Sequence, residues 1–178
     1  QSSAASDVYK RQVYTNPQRE GEAWDRGGSF EWIDPLRGDG FQINCALGMQ
    51  GGSGSTIQWA SQVSIDAKFQ RRFGPGKLRY PLFEDSPIET FDKLVFDAGN
   101  QNSIHANAGY TTRRHAQALR DQFMMDLQAE AGQSAVSGRH AHLFINGLYW
   151  GLYNVHESPD DNWAANHGGG EPEEYDWV

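Results

Sequence analysis

The sequence predicts an α+β fold: an antiparallel sheet with one long helix and a C-terminal β-hairpin. Three observations carry this. Short runs alternate apolar and polar residues between turns rich in glycine and proline, of which the chain has 20 and seven, the pattern of half-buried strands. One stretch alone, about 111–131, repeats apolar residues at spacings of three and four, the period of a helix with one buried stripe. Asn146-Gly147 lies between two alternating runs and is the preferred pair for a two-residue type I′ turn.

The elements follow in order. Ser29 to Ile33 alternates between Gly27-Gly28 and Asp34-Pro35 and reads as a strand entering a turn. Phe41 to Met49 makes a second, with Phe41, Ile43, Cys45 and Leu47 on one face. After the glycine-rich break at Gly51-Gly52, Val63, Ile65, Ala67 and Phe69 alternate with polar residues as a third strand. Gly74-Pro75-Gly76 is turn chemistry, Tyr80 to Phe83 an extended segment that buries aromatics, and Lys93 to Asp97 a short strand ending at Gly99. The helix is expected from a cap at Thr111 or Thr112 to about Ala131, with Gly132 closing it and Ala116, Leu119, Phe123 and Leu127 buried. The hairpin, Arg139 to Val155, is expected to pair Ile145 with Leu148, Leu143 with Trp150 and Ala141 with Leu152. Ser158 then caps a short helix with Pro159 at its first position.

At 178 residues, with 38% hydrophobic and 12% aromatic residues, the chain has the size and apolar content of one packed domain. No run approaches the ~20 apolar residues a membrane helix needs, so no membrane span is expected. A net charge of −8 disfavours nucleic acid as a partner, because its phosphates recruit basic surfaces. The single cysteine, Cys45, excludes an intrachain disulfide and a cysteine-rich zinc site.

Ser2 to Gln12, SSAASDVYKRQ, reads as the in-frame translation of a sequencing-library adapter of the kind used on metagenomic DNA. Residues 1–12 are therefore expected to be an artefactual or disordered leader, and 13–178 the domain. An ordinary polar arm is the competing reading, with the same consequence for the fold. The adapter implies a truncated coding fragment, with the C-terminal end at 171–178 expected to be incomplete too.

Chemistry-bearing patterns are few. Gly48 to Thr56 is glycine-rich and its N–H groups suit a phosphate, yet it lacks the lysine of a P-loop and opens no helix, so a plain hairpin loop is the stronger reading. His140 and His142 share a strand face, but no third ligand has a defined spacing, and no metal site is assigned. The acidic runs at Asp160-Asp161 and Glu171 to Asp176 read as solvated loops.

From about Tyr14 onward the chain resembles the CotH kinase family. The matching stretches are Phe30 to Asp34 with Gly40-Phe41-Gln42, Gly51-Gly52, Tyr80 to Phe83, Phe91 to Phe96, Leu119 to Phe123, and above all Leu143 to Asn154 followed by Glu157, Pro159 and Asp160. The resemblance implies the N-terminal lobe of an atypical, kinase-like protein. It also implies ATP and Mg²⁺ as cofactors, protein as substrate, and a secreted or cell-surface bacterial setting. Its metal-binding acids are expected in a C-terminal lobe missing after Tyr175-Asp176, so no tight ATP or Mg²⁺ binding is expected of the fragment.

Related members carry a lysine and an arginine in a K-x-x-[FY]-R-[LV] strand. Alignment from Phe69 places Gln62 at that lysine and Asp66 at that arginine, while Gln50 stands where an arginine is usual. The expectation from the resemblance is a kinase that binds ATP and Mg²⁺ and phosphorylates proteins when complete but is inactive as this fragment. Because a neutral amide does not replace an ammonium against a triphosphate, a pseudokinase is the variant of that reading that Gln62 raises. Residues expected near a nucleotide are Gly51, Gly52, Gln62, Lys68 as a substitute cation with Arg71 as an alternative, Asp121 as helix acid, Tyr149 or Tyr153 stacking on adenine, and Tyr153 to Glu157 as hinge. The rival class is a non-catalytic extracellular adhesion or carbohydrate-binding module that uses exposed aromatics.

Overall fold

A computed structural model describes residues 21–51, 62–99 and 115–176. Strands β1 (Arg26–Asp34), β2 (Asp39–Met49), β3 (Ile65–Lys68), β6 (Lys93–Asp97), β7 (Gly138–Ile145) and β8 (Leu148–Glu157) form one six-stranded sheet in the order β1-β2-β3-β6-β8-β7. Every pairing in it is antiparallel. Two short strands, β4 (Leu78–Arg79) and β5 (Thr90–Phe91), pair separately. Helix α1 spans Arg120–Glu130, α2 spans Asp161–Gly168, and a 3-10 turn covers Pro172–Glu174. The α+β expectation holds, with the sheet dominant.

The sheet curls until its edges meet. Asp34 ends edge strand β1 and Arg139 begins the opposite edge, β7, yet Arg139 Nη1 donates to Asp34 Oδ2 at 3.0 Å. Inside the curl, Phe30 from β1 meets Phe96 from β6 edge to face at 5.3 Å, a favoured aromatic geometry. The core gathers Trp32, Cys45, Ile65, Phe69, Leu82, Phe91, Leu94, Phe96, Tyr153 and Val155. β3, at the centre, is buried on both faces except at Lys68.

Cys45 is fully buried, and burial followed by the nearby Asp66 charge pushes its thiol up to about 12. The thiolate is the reactive form. The native protein is therefore expected to leave a thiol reagent unreacted at pH 8, and to react once per chain in denaturant; fast native labelling would show that the core opens.

The hairpin turn forms as expected, with Asn146 at φ 53° and Gly147 at φ 78°. Its register departs from expectation two residues in. Ile145 pairs with Leu148 and Phe144 with Tyr149, but a bulge then sets Leu143 opposite Gly151 and Ala141 opposite Tyr153. Gly151 makes this possible by taking φ 129°, a backbone conformation that side chains resist. The extra residue turns Tyr153 into the core and Leu152 outward.

The helix departs in two ways. It begins at Arg120, after Ala116, and the Thr111 or Thr112 cap lies outside the described residues. Its expected stripe faces water: Leu119, Phe123 and Leu127 are 62%, 59% and 46% exposed, and Gln122 is the buried residue. The polar side docks instead because Gln122 is built into the sheet, accepting from Asn154 Nδ2 at 3.1 Å and lying against Gly138, while its own amide donates to Asp126. The short C-terminal helix is capped by Asp160, whose carboxylate accepts from Trp163 N at 3.0 Å, rather than by Ser158. The carboxylate reaches the third residue's N–H from an extended backbone, the ordinary capping geometry.

Candidate functional site

Three charged side chains converge where β2, β3 and the turn before β1 come together. Lys68 Nζ lies 3.0 Å from Asp25 Oδ1 and 3.5 Å from Asp66 Oδ2. Both carboxylates are over nine-tenths buried, while Lys68 keeps partial solvent access. The geometry depends on Gly48, which pairs with Asp66 across β2 and β3. A Cβ there would fall 2.5 Å from Asp66 Oδ1 and 2.8 Å from Asp25 Oδ1, inside van der Waals contact. Gly48 is thus the residue that admits both acids.

One ammonium is in ion-pair contact with both carboxylates, and Asp25 Oδ2 and Asp66 Oδ1 have no hydrogen-bond partner among the described residues. Burial raises the Asp66 carboxyl above its ordinary 3.8, with Asp25 adding to it against the opposing pull of Lys68 and Lys93. Burial pulls the Lys68 ammonium down, but the charges of Asp66 and Asp25 outweigh it and leave Lys68 raised.

The other expected site residues are distributed as follows. Gly51 is a bend at φ 93°; Gly52 and the rest of the glycine-rich loop lie outside the described residues. Gln62 is buried, its amide donating to Trp150 O at 3.0 Å and Leu152 O at 3.4 Å and filling the space over Gly151. The amide satisfies two carbonyls of β8 that lie beyond the stretch paired with β6. Tyr153 is 1% exposed and donates to Val63 O at 3.0 Å, so its ring is part of the core. Burial raises its hydroxyl above the ordinary range. Tyr149 is 56% exposed, accepts or donates at His142 Nδ1 at 2.9 Å, and tilts against Phe144 at 5.1 Å.

Asp121 is half exposed in the first turn of α1, beside Arg120 at 3.6 Å. The carboxylates that meet Lys68 come from strand and turn instead. Glu157 is buried and accepts from Ser137 N at 2.9 Å, Trp163 Nε1 at 3.2 Å and His167 Nε2 at 3.2 Å. It fastens α2 to the end of β8, a clamp at the expected hinge. Asp25 is the residue that sequence reasoning missed. It precedes the first strand beside Trp24 in no recognisable spacing, and only the fold carries it to Lys68.

A scan against protein families matches residues 90–175 to a model described as CotH kinase protein. The span runs from β5 through the 3-10 turn and includes Asp121, Tyr149, Tyr153 and Glu157; Gln62 and the Asp25–Asp66–Lys68 cluster precede it. No curated protein and no solved structure matches the chain.

Proposed function

Over residues 90–175 the chain belongs to the CotH kinase family, and from that premise we propose that it is a kinase-like protein in which the nucleotide-holding cation has been lost, a pseudokinase. The carrying observation is the state of the two positions where a phosphate-binding cation is expected. Gln62 is neutral and spends its amide on the carbonyls of Trp150 and Leu152. Lys68, the substitute, sits between two buried carboxylates that hold its ammonium.

Phosphoryl-transfer lobes hold the triphosphate with a lysine and neutralise it with divalent metal. A cation already held by two buried carboxylates would have to leave them to pair with a triphosphate, and would leave a buried carboxylate unpaired. The described residues therefore do not suit ATP in the lysine-held mode, and no step of a phosphoryl transfer is derived for them. Protein partners, expected of the family as substrates, remain part of the reading as binding partners.

A second reading has one observation behind it. Phe144 and Tyr149 present exposed rings on the outward face of the hairpin, with His142 beside them, an arrangement suited to stacking on a sugar face. Thermal shifts of the full chain separate the two. The pseudokinase reading expects no shift with ATP and Mg²⁺ and none with soluble glycans. A glycan shift lost in Tyr149→Ala favours the carbohydrate-binding module, and an ATP shift lost in Lys68→Ala overturns the pseudokinase.

A further inference from the structure

We propose that the Asp25–Asp66–Lys68 cluster is a proton-binding site, holding one proton on the Asp66 carboxyl and releasing it to solvent as pH rises. The inference goes beyond the nucleotide reading and does not rest on it.

Two carboxylates share one ammonium at ion-pair distance in a place where both acids are over nine-tenths buried, and Lys93 acts on Asp66 only by its charge, with no ion pair between them. An unpaired buried charge is normally removed by neutralisation rather than tolerated. Among the described residues, two acceptor atoms, Asp25 Oδ2 and Asp66 Oδ1, stand without donors, so the cluster lacks hydrogen-bond donors and a second directly paired positive charge at once. A proton supplies the charge and one donor.

A metal ion is the alternative occupant, and the surroundings disfavour it. Hard cations take about six oxygen ligands, and among the described residues no group of three acidic, histidine or cysteine side chains could hold an ion. The approach is also tight, since even a methyl group on Gly48 would overlap both carboxylates. A proton needs no volume.

Asp66 is assigned as the carrier because its contact with Lys68 is the longer of the two. Asp25 holds the shorter contact with Lys68, 3.0 Å against 3.5 Å. The groups facing Asp66 are Lys68 on its own strand, Lys93 from β6, Asp25 from the turn before β1, and Cys45 and Gly48 from β2. Lys93 and Lys68 oppose the proton, but burial and Asp25 outweigh them.

The sign of the pH dependence follows. A folded-state value above the ordinary 3.8 means that the folded chain binds this proton more tightly than the unfolded chain. Its contribution to stability is complete below 3.8 and is lost as pH rises through the folded value.

The test compares the full chain with Asp66→Asn, which keeps shape and an acceptor for Lys68. Infrared difference spectra at low buffered pH should show a protonated-carboxyl band that is absent in Asp66→Asn and disappears as pH is raised. Over the same interval the unfolding constant of the wild type should rise relative to the variant by up to about tenfold per pH unit. Should Asp66→Asn not fold, the band and its pH titration in the wild type, checked against Asp25→Asn, decide alone. A carboxyl band that titrates only at the ordinary 3.8 overturns the proposal. So does stabilisation of the wild type by Na⁺ or Mg²⁺ that Asp66→Asn abolishes, which would assign the site to a metal ion.

Discussion

Arg139→Ala is expected to cost about 3–5 kcal/mol of stability, the range for breaking one side of a buried ion pair. Asp34 is almost fully buried at the end of β1 and accepts from Arg139 Nη1 at 3.0 Å and from the backbone N–H groups of Leu36 and Arg37. Removing the guanidinium leaves that carboxylate charged in the core with two of its donors. The same guanidinium donates to Leu82 O at 3.3 Å and lies over the Trp32 ring at 5.2 Å, a geometry of cation–π attraction. Because the pair joins the two edges of the sheet, its loss also frees the curl to open, and urea denaturation should report the full effect.

The pair also sets the acid limb of stability. Burial raises the Asp34 carboxyl, but the Arg37 N–H, the Arg139 hydrogen bond and charge, and the Leu36 N–H together outweigh it and hold it below 3.8. A depressed folded value means that the unfolded chain binds the proton more tightly. The stabilisation is therefore complete above 3.8 and is lost as pH falls through the lower folded value. Arg139→Ala raises the folded value toward the ordinary one and flattens this limb; an unchanged acid midpoint and slope would contradict the role given to the pair.

Gly151→Ala is expected to cost about 2–5 kcal/mol, combining backbone strain with displaced buried hydrogen bonds. Its φ of 129° is one that L side chains rarely adopt, and an added Cβ would overlap the Gln62 amide. The clash pushes Gln62 off the carbonyls of Trp150 and Leu152. A double-mutant cycle with Gln62→Ala separates the two terms. Gly151→Ala should cost less in the Gln62→Ala background, because only backbone strain is left. Strict additivity would mean that Gln62 does not occupy the space over the bulge.

Local signals in the sequence predicted local structure well. Asn146-Gly147 fixed a turn because few residue pairs tolerate two positive φ angles, and Lys93 to Asp97, a short apolar run, was bounded by Gly99. What failed depended on tertiary context. The regular hairpin register expected from the alternation gave no place to a bulge; the demand for Tyr153 in the core decides where the register shifts. The apolar period of α1 described a real stripe, yet one buried amide, Gln122, determined which side met the sheet. For the site, residue types carried the expectation that positions 62 and 66 lack the cations of the resembled family. The partner carboxylate at Asp25 was invisible, since 43 residues separate it from Lys68 and no spacing rule links a turn to a central strand.

The central claim is that the cation meant for a nucleotide is instead consumed by Asp25 and Asp66. Calorimetric titration of the chain with ATP in the presence of Mg²⁺ tests it most directly, run beside Lys68→Ala and a Gln62→Lys, Asp66→Arg variant that restores the expected charges. The account predicts no saturable binding to the native chain and a measurable isotherm only where the charges are restored. Saturable binding by the native chain that disappears in Lys68→Ala would contradict it.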